Sequence, residues 1–559
     1  MKYIIFGAGN AASAVLENLK TKKHEVIAFV DNDKNKWGRE IKGYRIYPPS
    51  KLQKIKKEND QIIISVVNPT MKSEIKLQLM NIGLQPGKDF IENSLSNFGD
   101  IPGRVSGKII LPNGFVADKS FDSASILVTM SEKHRIFRMV NKGYEDRYYK
   151  VLESCRNYGL LGKYVVYTNI AENQWSLPCS LLLEHSYIAP ITYCFEWTPH
   201  MYTDYVEFML NFLMKLADAS LGLIDGHHMN ATIHNGRFLF IDFGAIGVGI
   251  TSCEVMYQFL NMHMIPLVLM CRDQEDKAYA CLKNSNIVYT LSDILGYLRE
   301  EEIKLYKKIL SMAFHINNNK DMKEVVDCCK RFIYLLKDYK KQTPWAGYQD
   351  NEWERSDNPA KWTLKMKNVV EWIKDIKPNT LLDVAGNMGW YGCYLHETMK
   401  YAIIMDMDSE CLDSVWERAS NGGYRNVVPL YMSFCTPTPP RNYGTAIDSS
   451  LSVKPKLKSS KDRCRSDLVL ALAIVHHLAF RWQLTFEEIV GQLYEFTNKY
   501  LIVEFVDKDD RFIKNFKKER FEWYTIENFE RVLSSFFSIE KIRLSQPKET
   551  RKLYLCKKI

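Results

Sequence analysis

The sequence predicts an α/β multidomain protein in three parts: a small parallel α/β unit at 1–98, a helix-rich region at 99–340 and a second α/β unit at 341–559. Three observations predict it. Apolar runs alternate with amphipathic stretches at both ends of the chain, the pattern of a parallel sheet with crossover helices. The middle does not continue that alternation, and a charged, Trp-rich connection, KQTPWAGYQDNEWERSDNPAKW at 341–362, separates it from the last α/β unit. Finally, 559 residues at ~150 per domain make three to four domains.

The first unit reads KYIIFGAG as strand, AASAVLENLKTKK as helix, HEVIAFVDND as strand, then a helical stretch, DQIIISVV as strand and MKSEIKLQLMNIG as helix. Gly7-Ala8-Gly9-Asn10-Ala11-Ala12 makes a GxGxxA turn after the first strand, and Asp31 closes the second. In the middle, helical spacing of Met209, Leu210, Phe212, Leu213 and Leu216, and of Met256, Phe259, Leu260 and Met264, marks core faces of helices at 201–217 and 252–271.

In the last unit, residues 380–392 read TLLDVAGNMGWYG, a short strand, a small-residue turn and a helix start. Asp383, Ala385, Gly386, Asn387 and Gly389 let backbone approach a ligand, and the helix start offers free N–H groups. Asp406, twenty-three positions after Asp383, ends a second strand, YAIIMD, where a carboxylate can accept both hydroxyls of a ribose. Strands follow at NVVPLYM, DLVLALAIVHHL and KYLIVEFV, then the helix YTIENFERVLSSF and the closing pair SIEKIRL and RKLYLCK.

This order resembles the class I S-adenosylmethionine-dependent methyltransferases, with a Rossmann-like sheet, over roughly 365–559. The resemblance implies S-adenosyl-L-methionine as methyl donor, held by residues 383–389 and Asp406, with Met432 and Ser433 at the adenine position in place of an acid. Ala385 and Asn387 stand where the commonest motif has glycines. Methyl transfer is an in-line displacement that depends mostly on alignment. For a hydroxyl acceptor a base helps, and His476 or His477, at the end of the fourth strand, is placed for it. Glu504 and Asp507, at the end of the fifth, are second choices. The fourth strand carries neither a DPPY tetrad nor a Pro-Cys pair, which disfavours nucleobases as acceptors.

Residues 223–244 read LIDGHHMNATIHNGRFLFIDFG. Asp225, Asn230 and Asp242-Phe243-Gly244 follow the order of a kinase catalytic loop and metal loop. The stretch resembles the carboxyl lobe of kinase-like α+β folds, which implies that Asp225 orients an acceptor and that Asn230 and Asp242 hold magnesium against ATP. Leu223-Ile224 replaces His-Arg, and no glycine-rich phosphate loop is evident between Gly103 and Lys163. A degenerate scaffold, an acceptor-holding domain and an active kinase all remain open.

The first unit resembles small Rossmann-like domains of nucleotide-sugar and surface-polysaccharide enzymes. That implies a nucleotide, nucleotide-sugar or NAD(P) at Gly7, Gly9 and Asp31, or scaffolding alone. Together these resemblances point to methylation of a glycan or nucleotide-sugar hydroxyl beside polysaccharide-assembly enzymes. The alternatives are a bifunctional kinase and methyltransferase, and a non-catalytic nucleotide-sugar-binding module.

Composition sets the frame. Hydrophobic residues at 46% and charged residues at 25% exclude wholesale disorder. A net charge of +9 over this length is too diffuse for a dedicated nucleic-acid binder. Thirteen cysteines without a CxxC pair make neither a disulfide framework nor a zinc site. With no signal-peptide pattern and no apolar run near ~20 residues, a cytoplasmic protein without a membrane span is expected. Residues 454–465 hold six basic and one acidic residue, read as a solvated loop or a basic flap over an anionic substrate.

Overall fold

The structure is a computed structural model, described at all residues except 1, 10–11, 13–14, 17–18, 21–23, 58–59, 67–74, 76–77, 80–81, 85–88, 93–110, 113, 118–123, 131–132, 250–251, 285–286, 288, 314, 317, 338–357, 441–456, 511–512, 514–520 and 548–549. Its first sheet orders strands β3-β4-β2-β1-β5-β6, from β1 (Lys2–Phe6), β2 (Glu25–Val30), β3 (Glu40–Ile41), β4 (Tyr44–Tyr47), β5 (Gln61–Ile64) and β6 (Phe90–Glu92). Strands β1, β2, β4, β5 and β6 run parallel, and β3 joins β4 as an antiparallel hairpin. Tyr3, Ile4, Ile5 and Phe6 are all buried, so β1 is covered on both faces, as a central parallel strand must be. The helical stretch expected between β2 and β5 is short: a 3-10 turn, Lys34–Lys36, and the β3–β4 hairpin come first, and only Pro49–Lys51 and Leu52–Ile55 are helical after them.

The middle region contains a sheet that hydrophobic periodicity did not reveal. Five antiparallel strands run β10-β11-β9-β8-β7, from β7 (Phe115–Ala117), β8 (Ser125–Met130), β9 (Arg135–Val140), β10 (Thr168–Ile170) and β11 (Leu181–His185). Helix α1 (Glu145–Asn157) connects β9 to the outer strands. Helix α2 (Pro199–Asp218) starts where Thr198 caps the Met201 N–H and Pro199 needs no donor, and it buries Met209, Leu210, Phe212, Leu213 and Leu216.

Beyond α2, β12 (Leu221–Leu223) pairs antiparallel with β15 (Ile246–Val248), and β13 (Ala231–His234) pairs with β14 (Arg237–Phe240). The second hairpin turns on Asn235 and Gly236, both at positive φ (50° and 67°), the geometry an Asn-Gly pair favours. The stretch expected as one helix at 252–271 is an α-helix over Ser252–Phe259, a π-helical turn over Leu260–Met264 and an α-helix over Ile265–Met270.

The last sheet has seven strands in the order β18-β17-β16-β19-β20-β22-β21: β16 (Thr380–Val384), β17 (Tyr401–Asp406), β18 (Val427–Tyr431), β19 (Ser466–Ala471), β20 (Thr497–Val506), β21 (Phe537–Leu544) and β22 (Arg551–Lys558). Strands β16 to β20 are parallel and the closing pair is antiparallel. Helix α3 (Ser409–Ser420) crosses from β17 to β18. The order reverses at β16, flanked by β17 and β19, so the loop after β16 opens at the switch point where such sheets bind ligands. The fourth strand is shorter than its apolar run suggests: β19 stops at Ala471, Ala473 turns to φ 53°, and helix α4 (Val475–Phe480) follows. No helix among the described residues is long and apolar enough to cross a membrane.

Candidate functional site

Between β16 and the helix start at Trp390, Ala385, Asn387 and Gly389 all adopt positive φ (54°, 51° and 71°), coiling the backbone into a tight loop. A side chain at Gly386 would come within 2.9 Å of Asp383 Cγ and Ile404 Cγ2, and one at Gly389 within 2.9 Å of Ile404 Cγ1. The missing side chains let the loop lie flat against β17. Asp383 itself is buried beneath it.

Asp406 fastens the loop from the next strand. Its Oδ2 accepts the Asn387 N–H at 2.8 Å, and its Oδ1 accepts the N–H groups of Met407 and Asp408 at 2.7 and 2.9 Å. Burial raises its pKa from the ordinary carboxylate value, while the three N–H groups favour the anion. Helix α3 starts from Asp408 as its cap and returns Arg418 to donate to the Met388 carbonyl. Met432 N–H donates to the Asp406 carbonyl at 2.9 Å, and the Met432 thioether accepts the Thr438 N–H at 3.4 Å. Ser433 Oγ accepts the Cys435 N–H. The structure thus brings 383–389, Asp406 and Met432 together. Asp408, Arg418 and the half-exposed Met407 beside Asp406 belong to the same cluster and were missed, because no motif spacing marks them.

His476 and His477 stand on α4, their rings 4.2 Å apart. His476 is buried with Nδ1 unpartnered, and burial, with His477 and two arginines close by, lowers its pKa to about 3. His477 is half-buried, and desolvation together with Arg481 lowers its pKa. Glu504 lies elsewhere: fully buried, it accepts the Ser545 hydroxyl at 2.6 Å and faces Lys365 at 3.7 Å, which ties the end of β21 to β20. Asp507 accepts the Asp509 N–H at 2.9 Å in the turn after β20.

In the middle region, Asn230 Nδ2 donates to the Asp225 carbonyl at 3.1 Å, and the Ile241 N–H donates to the Asn230 carbonyl, so Asp225, Asn230 and Asp242 are neighbours. Asp242 is occupied by a residue no motif announced. Its Oδ1 accepts from Arg138 Nη2 at 2.7 Å and from the Gly244 N–H at 3.0 Å. Arg138 projects from β9, buried, and also donates to Ser125 Oγ at 2.9 Å. No cluster of three His, Cys, Asp or Glu side chains suited to a metal occurs among the described residues.

The first unit repeats the loop-and-acid device. Asp31, buried at the end of β2, accepts the Ala8 N–H at 2.5 Å and the Asp33 N–H at 2.8 Å, and Lys36 Nζ lies 3.3 Å away. Gly7 is at φ 107°, and its carbonyl accepts from Ser65 Oγ at 2.7 Å. Gly9 meets nothing within 4 Å at its missing side chain, so the loop is open on that side.

The basic segment is only partly a loop. Residues 441–456 lie outside the described residues, but Ser460–Arg463 is a helical turn and Arg463 is buried. Its guanidinium forms a bidentate pair with buried Glu196 (2.5 and 3.1 Å), stacks 4.0 Å from the Tyr193 ring centroid and donates to the Ile191 carbonyl. At Arg463 the segment is neither a solvated loop nor a flap, because its guanidinium is buried and paired with Glu196.

Comparison with known proteins matches a family model at the start of the chain, several solved structures and a curated relative. Residues 1–88 match the family model described as C2185-like, N-terminal. Three solved structures that the chain is similar to are methyltransferases. They are the N-methyltransferase NodS from Bradyrhizobium japonicum WM9 (10% identity, 38% of this chain and 98% of that one, TM-score 0.25), the magnesium protoporphyrin IX methyltransferase ChlM from Synechocystis PCC 6803 (10%, 40% and 87%, TM-score 0.25) and a SAM dependent methyltransferase from Aquifex aeolicus (16%, 37% and 98%, TM-score 0.26). Among curated proteins, the chain is 25% identical over 474 residues to nodulation protein NoeA of Rhizobium meliloti (strain 1021), covering 78% of this chain and 92% of that protein.

Proposed function

We propose that the chain transfers a methyl group from S-adenosylmethionine to a hydroxyl of a glycan or nucleotide-sugar. The observation that carries this is the Asp406 carboxylate bonded to the Asn387 N–H across the switch point of a seven-stranded sheet with an antiparallel closing pair. The residues suit this donor. The loop at 385–389 is coiled tightly enough for close approach, Asp406 would hold the ribose hydroxyls, and Met432 with Met407 would supply apolar surface for the adenine.

S-adenosylmethionine supplies an activated methyl on a sulfonium, and the protein supplies alignment. His477, neutral at pH 7 and half-buried, accepts the hydroxyl proton. His476, lowered to about 3, packs and excludes water. Glu504, bonded to Ser545, keeps a structural role. In the middle region the Arg138–Asp242 pair favours a domain that holds the acceptor over one that loads magnesium and ATP. The Ala8–Asp31 loop is a site for a nucleotide or nucleotide-sugar.

The test is calorimetric titration of S-adenosylhomocysteine and S-adenosylmethionine, with magnesium-ATP, NAD(H) and nucleotide-sugars in parallel. Binding of the methyl donor and its product, lost in Asp406→Ala, supports the proposal. Silence from both sinks it and favours a non-catalytic nucleotide-sugar module, whereas magnesium-ATP binding that Asp242→Ala abolishes restores the bifunctional reading.

A further inference from the structure

We infer that Glu196, a residue of the middle region, is a positioning residue for the methyl-donor site of the last unit; the inference rests on the methyl-transfer reading above. Glu196 is 1% exposed and lies between β11 and α2, far in sequence from the donor loop. One carboxylate oxygen, Oε1, accepts from Thr438 Oγ1 at 2.7 Å and from Arg463 Nη2 at 2.5 Å. The other, Oε2, accepts the Tyr193 N–H at 3.0 Å and Arg463 Nη1 at 3.1 Å. Every acceptor site of the buried anion is thus used, most of them by residues of the donor unit.

Thr438 is the pivot. Its hydroxyl gives its single proton to Glu196, its N–H donates to the Met432 sulfur at 3.4 Å, and the Met432 N–H is bonded to the Asp406 carbonyl at 2.9 Å. A continuous line therefore runs from Glu196 through Thr438 and Met432 to the acid of the donor site. Arg463 and Lys458 close the far side, the Lys458 N–H donating to the Tyr193 hydroxyl at 3.1 Å. Both ends of the β18–β19 connection, at Thr438 and at 458–463, are clasped by residues 191–196. A buried ion pair with all its hydrogen bonds made contributes little net stability compared with an apolar substitute, but it fixes one geometry. Here the geometry it fixes is that of Met432, which stands at the adenine position in the methyl-transfer reading. The middle region is in this sense part of the donor site.

The experiment is titration of S-adenosylhomocysteine into the full chain and its variants, with unfolding monitored for each. Thr438→Val cuts the bridge but leaves the Glu196–Arg463 pair, and is expected to weaken binding about fivefold to tenfold. Thr438→Ser, which keeps the hydroxyl, restores it. Glu196→Gln with Arg463→Met, which removes both charges together, gives the same loss as Thr438→Val. In a Met432→Leu background, Thr438→Val costs nothing further, a non-additivity that general loosening of the fold does not produce. Binding by Thr438→Val within about twofold of wild type, or full additivity with Met432→Leu, overturns the inference. Failure of wild type itself to bind overturns the methyl-transfer reading and this inference with it.

Discussion

The Asn387 N–H donates to Asp406 Oδ2 at 2.8 Å, locking the loop after one strand to the acid ending the next. The first unit makes the same bond between Ala8 and Asp31. In both, a left-handed or glycine-bearing turn aims a backbone donor at a carboxylate, buried at Asp31 and half-buried at Asp406, that would otherwise lack compensation for its desolvation. The two α/β units use one local solution, which is why both sites are legible from glycine spacing and a downstream acid.

Asp406→Asn is expected to keep the fold and weaken S-adenosylhomocysteine binding about 10- to 100-fold, or roughly 1.4–2.8 kcal/mol, since hydrogen bonds to a charged group are lost. Calorimetry checks it against an unchanged circular dichroism spectrum.

Gly389→Ala forces a side chain to within 2.9 Å of Ile404 Cγ1 at φ 71°. Left-handed strain and overpacking together should destabilise the protein by roughly 2–4 kcal/mol and abolish donor binding. Urea unfolding measures the first effect and titration the second.

Gly236 sits at the tip of the β13–β14 hairpin, where an added side chain would strike the Ala419 carbonyl oxygen on α3. The same contact includes Phe238 against Trp416 (ring centroids 4.9 Å) and Trp416 Nε1 donating to Asp204 at 2.8 Å. Gly236→Ala should wedge the middle region from the donor unit. The expected calorimetric signature is splitting of a joint unfolding transition into two.

His476 and His263 have pKa values lowered to about 3 and about 4, in each case mainly by burial. Both stay neutral in the folded state while the unfolded chain protonates them below pH ~6.5, so stability falls as pH drops from there towards 4. His476→Gln should remove about one proton from this linkage, ~1.4 kcal/mol per pH unit, in unfolding measured between pH ~7 and ~4.5.

Asp413 on α3 shows the opposite sign. Burial, with Glu417 and Asp204 nearby and against the Thr198 hydroxyl and His200, raises its pKa to about 6, so its ionisation costs stability above that pH and the cost disappears as pH falls towards 4. Asp413→Asn should stabilise the protein by roughly 1–2 kcal/mol at pH ~8 and leave it unchanged near pH ~4. Melting temperatures at the two values decide it.

What the sequence determined by itself is local. The runs KYIIF, TLLDV and YAIIMD declare parallel strands because both their faces are buried. The turns beside them declare themselves because few residues accept positive φ. The five-stranded middle sheet was not legible: β7 and β10 have only three residues each, and a buried cation, Arg138, interrupts β9. Only tertiary structure decided that Arg138 meets Asp242, 104 positions away, and that Arg463 meets Glu196, 267 positions away. Periodicity reports which face of an element is covered. It carries no information about which distant charge will satisfy a buried one, since that depends on how the sheets are brought together.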